Sequence, residues 1–138
     1  MPKRSIPKGG TRGTVYRAAA RERIRDAEKL HEAKRIHGAI YLAGYAIECH
    51  LKYAVCEHTE NTYLDSSLET HSWDALLLRS GLEAKLANNQ AMKSIYDELT
   101  EVWTTSLRYN PESRVVPGDL MLYRQLMFLY EFLRETAP

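Results

Sequence analysis

Between positions 38 and 57 the chain reads GAIYLAGYAIECHLKYAVCE, a run that is apolar on nearly every side of a helix. A helix of that kind cannot lie on a surface. It belongs at the centre of a domain or in an interface. The run is also rich in small residues: Ala39, Ala43, Gly44, Ala46 and Ala54. Gly44 inside a helix costs about 1 kcal/mol against alanine, and close packing of a neighbouring helix is the expected compensation. The longest uncharged stretch, 38–47, is ten residues, half of the roughly 20 that a membrane helix needs. The spacing therefore predicts a buried helix in a protein without membrane spans.

The rest of the chain has to cover that helix. Its 138 residues suit one domain, large enough to fold without disulfide or metal staples. Two cysteines exclude a disulfide scaffold. The basic N-terminus has no apolar stretch behind it, so it does not read as a secretory signal. A cytoplasmic protein is expected.

Helical spacing recurs on both sides of the central run. A helix is predicted over 14–36, with Thr14 as its cap. Ala20, Ile24, Ala27 and His31 share its inner side, with Leu30 at the edge, while Arg21, Arg25, Glu28 and Glu32 are solvated. After a polar stretch over 58–70, Ser72 opens a short helix with Trp73, Leu76 and Leu77 inside. Ser80–Gly81 closes it. A long helix is predicted over 82–106, with Asn88–Asn89 as a possible break. Pro111 ends the helical pattern. Pro117 opens a last helix to about residue 135. Phe128 lies in that helix's polar stripe with Arg124, Glu131 and Glu135, which points to a contact outside the domain. The fold class is all-α, an antiparallel bundle of four to five helices.

Charge divides the chain unevenly. Residues 1–37 hold eleven Lys and Arg against four acids, and residues 38–138 hold eight against fourteen. Residues 1–13, with Lys3, Arg4, Lys8 and Arg12 and no acid, read as a flexible basic tail. Its phosphate contacts would be weak and salt-sensitive, so it reads first as a solubilising end. Residues 14–138 form the single helical domain.

Chemistry is concentrated on the central helix. Tyr41, Tyr45, Glu48 and Lys52 fall on one stripe. Glu48, deep in apolar sequence, needs a partner. Lys52 stands one turn on in the favourable order, and Arg108 is a second candidate. His50 lies on the opposite side, as a packed or interface residue. His71 precedes a helix, where it can serve as a cap or donate a hydrogen bond to a carboxylate. Cys49 and Cys56 would stand about 10 Å apart on one helix, too far for a disulfide. Cys49 and His50 point apart, so with Cys56 and His58 they do not form a zinc site. No phosphate loop, dinucleotide fingerprint or zinc-protease motif is present. No metal and no cofactor is expected. Asp97, Glu98 and Glu101 read as a solvated acidic patch.

The segment from Ala43 to Lys52, AGYAIECHLK, resembles the signature of HEPN domains. His71 ahead of Trp73 and Leu76, and Leu107-Arg108-Tyr109-Asn110-Pro111 after the long helix, fit the same pattern. The resemblance spans roughly 14–135. It implies a helical bundle, usually dimeric, from prokaryotic toxin–antitoxin and phage-defence systems. Many such domains are metal-independent ribonucleases with an arginine, a polar residue and a histidine closely spaced across a dimer cleft. Others are inactive RNA-binding or scaffolding versions, often encoded beside a small nucleotidyltransferase. Arg108 matches the arginine, but no histidine follows His71 in this chain.

Two functional readings follow. The first is a homodimeric HEPN-like module that binds RNA, or a nucleotidyltransferase or other defence-system protein, without standard nuclease activity. Glu48, Arg108, Tyr41, Tyr45, Lys52, Tyr109 and Asn110 would shape its cleft. The second is a metal-independent ribonuclease with a rearranged site: Arg108 on the phosphate, His71 moving the proton, Glu48 orienting one of them. Arginine alone cannot do this, because it stays protonated. A plain structural protein, whose cleft is only core, is the third possibility.

Overall fold

The computed structural model describes residues 11–103 and 117–138. Six α-helices occur among them: α1 (Gly13–Glu32), α2 (Ile36–His58), α3 (Trp73–Ser80), α4 (Glu83–Ala87), α5 (Gln90–Val102) and α6 (Pro117–Thr136). A single turn of 3-10 helix, Ser66–Leu68, breaks the crossing from α2 to α3. The described residues form no strand beyond one isolated bridge between Arg12 and Tyr63.

α2 is the axis of the bundle, packed against α1, α3 and α6. Of its 23 residues 17 are buried, as the apolar run requires. Ala20, Ile24 and Ala27 of α1, and Leu126, Leu129 and Leu133 of α6, close over it. Tyr16 meets Lys52 and Arg17 meets Tyr53, so α1 and α2 run antiparallel. Glu48 meets His71 and His58 meets Gly81, so α3 runs parallel to α2. His37 meets Asp119 and His50 meets Tyr130, so α6 does the same, and the antiparallel arrangement expected from the sequence holds for α1 against α2 but not for α3 or α6. The long crossing over 59–72 carries the chain back far enough for α3 to start beside Glu48.

The helix ends follow backbone chemistry the sequence only partly displays. Ser72 accepts a hydrogen bond from Ala75 N, and Asn89 from Met92 N, each capping its helix. Asn89 therefore divides the predicted 82–106 helix into α4 and α5. Gly81 ends α3 at φ 76°. α1 stops at Glu32, four residues before its predicted end. Lys34 turns left-handed at φ 61°, Arg35 N donates to Leu30 O and Lys34 N to His31 O. This is a Schellman end made by a lysine, so no glycine announced it. α2 ends the same way through Glu60 at φ 56°. Thr14 is not the cap of α1. The cap position is Arg12, and Thr14 lies within the first turn.

Arg12 is also not part of a free tail. Leu64 N donates to Thr11 O and Gly13 N to Thr62 O, and the Arg12 guanidinium lies over the Tyr63 ring. Lys3, Arg4 and Lys8 lie outside the described residues, as do Arg108, Tyr109 and Asn110.

Candidate functional site

Glu48 sits at the middle of α2 with 1% of its surface exposed. A carboxylate so placed is costly unless fully bonded. Lys52 donates from Nζ to Oε2 at 3.1 Å, and His71 donates from Nδ1 to Oε1 at 2.8 Å. Lys52 is itself buried, and its ammonium lies 5.3 Å from the centre of the Tyr16 ring on α1. Lys52 is thus held by an anion and an aromatic face together.

His71 differs from both. Its side chain is 68% exposed. With Nδ1–H committed to Glu48, the neutral ring carries its lone pair on Nε2. A buried carboxylate fixes the tautomer and orientation of an open imidazole. That geometry can accept or return a proton, or donate to a phosphate oxygen when protonated.

His71, Ser72, Trp73, Asp74, Thr100 and Trp103 line a hollow of about 140 Å³. Asp74 accepts a hydrogen bond from the Tyr96 hydroxyl at 2.7 Å. Burial, and then Asp74, push that hydroxyl's pKa upward. Trp73 and Trp103 stack at 5.3 Å. The Trp103 indole lies on Gly44, where an added Cβ would come 1.8 Å from Nε1. Gly44 therefore makes room for an indole, not for a helix backbone as the small-residue pattern implied. Both indole N–H groups are buried without an acceptor among the described residues.

The structure joins Glu48, Lys52 and His71. It does not bring Tyr41, Tyr45 or Lys52 into the lining of the His71 hollow. Tyr41 and Tyr45 stack on each other at 6.5 Å, one turn before Glu48. Cys49, then burial and Glu48, hold the Tyr45 hydroxyl above its ordinary pKa. Burial, then Glu48, push the Cys49 thiol up to about 11. Such a thiol stays protonated and unreactive at neutral pH. Cys49 and Cys56 are both free and buried, and no group of metal-ligating side chains occurs among the described residues.

His50 occupies the opposite side of α2. Nε2 donates to the Ala137 carbonyl at 2.8 Å, and the ring packs against Tyr53 and Tyr130. Burial lowers its pKa. Sequence reasoning did not find Asp74, Thr100 or Trp103 as lining residues, nor Tyr16 beneath Lys52. Only the first-turn placement of Asp74 beside His71 carried a local signal.

Comparison of the chain with family models, with curated proteins and with solved structures finds no match.

Proposed function

We propose that this chain is a HEPN-like module of a prokaryotic toxin–antitoxin or phage-defence system, and that it binds RNA beside His71. The reading rests on the AGYAIECHLK segment forming the buried axis of a helical bundle. The observation that carries the site is the 2.8 Å bond from His71 to the buried Glu48. It leaves one oriented, solvent-facing imidazole edge over a hollow. A protonated imidazole there suits a phosphate oxygen.

The working unit is a homodimer, with the exposed Leu120, Met121 and Phe128 of α6 at the contact. α2 is covered within the chain and keeps no exposed large apolar side chain, so it takes no part in that contact. A nucleotidyltransferase or another defence-system protein is the proposed further partner.

One observation favours a second reading, metal-independent ribonuclease. A carboxylate-held histidine with a free Nε2 is the arrangement that takes a 2′-hydroxyl proton. Arg108 would then stabilise phosphate charge.

End-labelled RNA incubated with the protein in EDTA tests both. Retention without cleavage, weakened in His71→Gln, is expected for the binding module. Cleavage by wild type that His71→Gln and Arg108→Ala each lack would establish the ribonuclease. Neither retention nor cleavage by folded wild type would sink both readings.

A further inference from the structure

Of the eleven cations in the first 37 residues, four are arginines that stand on α1. Arg23 is neutralised by Glu22 and Asp26. Arg17, Arg21 and Arg25 are not, since among the described residues no acidic group lies within ion-pair distance of any of them. They recur every fourth residue, so they form one row with steps of about 6 Å. Arg21 and Arg25 are exposed and Arg17 is half-buried. Arg17 lies 5.2 Å over the Tyr53 ring and donates to its hydroxyl, which orders the first guanidinium of the row.

The row borders the seam between α1 and α6. The charges of Arg21 and Arg25 reach Tyr130 of α6, and those of Arg17 and Arg21 reach His50. Glu131 of α6, which acts on the same Tyr130, is occupied by both Nε and Nη2 of Arg134. The next position of the row, Lys29, is paired with Glu32, and the run of unpaired cations ends there.

We propose that Arg17, Arg21 and Arg25 form a contact surface for the sugar-phosphate backbone of RNA. Three guanidinium forks in line, with no acidic partner among the described residues, suit successive phosphates better than a folded protein surface. This rests on the RNA reading above and places the backbone contact away from His71. The row lies on the α6 flank of α1, whereas Tyr16 meets Lys52 on the other flank. The two sets of substitutions are therefore separable.

The test is the salt dependence of binding to fluorescein-labelled oligouridylate. Wild type is compared with R17Q/R21Q/R25Q, with R21Q/R25Q, with a charge-matched control R79Q/K85Q/K93Q on α3–α5, and with H71Q. Each phosphate contact on a single strand contributes about 0.7 to the slope of log K against log salt. The triple variant should lower the slope by about 2 and weaken binding roughly tenfold or more at low salt. The double variant leaves the Arg17–Tyr53 packing intact and should lose about two-thirds as much slope. The control should keep the wild-type slope.

Equal losses in the row variant and the control would mean diffuse attraction and overturn the row. Wild-type binding that the row variant matches, and that H71Q weakens, would overturn the row and leave the RNA reading standing. Failure of wild type to bind would overturn both.

Discussion

Two residues apart on α2, Glu48 and His50 are equally buried and lead opposite lives. Glu48 faces α3 and is bonded twice, to Lys52 and to the open His71. His50 faces α6, bonds to the Ala137 carbonyl, and has an Nδ1 without a partner among the described residues. The first flank keeps a charge in the core and connects it to solvent through a neighbour. The second removes charge and uses the ring as packing. A buried titratable group therefore marks a candidate site here only where its bonds lead outward.

The largest way to break that contrast is Glu48→Ala. It leaves the buried Lys52 ammonium without its anion, and removing one partner of a buried pair costs about 3–5 kcal/mol. Chemical denaturation of the variant should show a loss in that range. The double replacement Glu48→Met with Lys52→Met should recover most of it, because two well-packed apolar side chains need no counter-charge. A double variant as unstable as the single one would mean that the pair is not what stabilises this flank.

Gly44→Ala comes next. Helix propensity alone favours alanine by about 1 kcal/mol. Against that, the new Cβ would stand 1.8 Å from Trp103 Nε1, and overpacking of that kind costs about 1–3 kcal/mol. A net loss of stability is expected, with a changed near-ultraviolet tryptophan signal as the indole moves. A more stable protein with an unchanged signal would show that Trp103 is not seated on Gly44.

How far the sequence foretold this flank depends on whether the controlling interaction is local. The centrality of α2 was legible, because an apolar run without a polar face has one place to go. Glu48 with Lys52 was legible too, since one helical turn sets their meeting. Ser72 and Gly81 announced the ends of α3 by their own chemistry. His71 could be named as a donor to some carboxylate, but its meeting with Glu48 depends on the 59–72 crossing, whose path no local pattern gives. Trp103 over Gly44 is likewise a tertiary fact, invisible in small-residue spacing. The early stop of α1 escaped because a lysine takes the left-handed position that glycine usually holds. The arginine, tyrosine and asparagine at 108–110, named for the cleft, lie outside the described residues.

His71→Ala should separate site from scaffold. Its side chain is mostly exposed, and Glu48 keeps Lys52 while the vacated oxygen becomes open to water. A loss of about 1 kcal/mol or less is expected, measured as a small shift in the denaturation midpoint. Destabilisation approaching that of Glu48→Ala would make His71 part of the core's charge balance, and the contrast between the two flanks would narrow.

The smallest effect lies on the other flank and concerns its pH dependence. Burial is the main cause of the lowered His50 pKa, and the charges of Arg17 and Arg21 act in the same direction, against the Ala137 carbonyl. The unfolded chain, with an ordinary histidine pKa near 6.5, therefore takes up the proton before the folded one does. Stability tied to His50 is complete above about pH 7.5. It declines as pH falls through the unfolded value toward the lowered folded value, because there the unfolded state binds more protons. His50→Gln retains a side-chain N–H for the Ala137 carbonyl and cannot titrate. Denaturation of both proteins between pH 5 and 8 should show wild type losing more stability on the acid side, with the two curves running parallel above pH 7.5. Parallel curves over the whole range would mean that His50 is protonated as readily in the fold as out of it. The α6 flank would then hold a charge much as the α3 flank does.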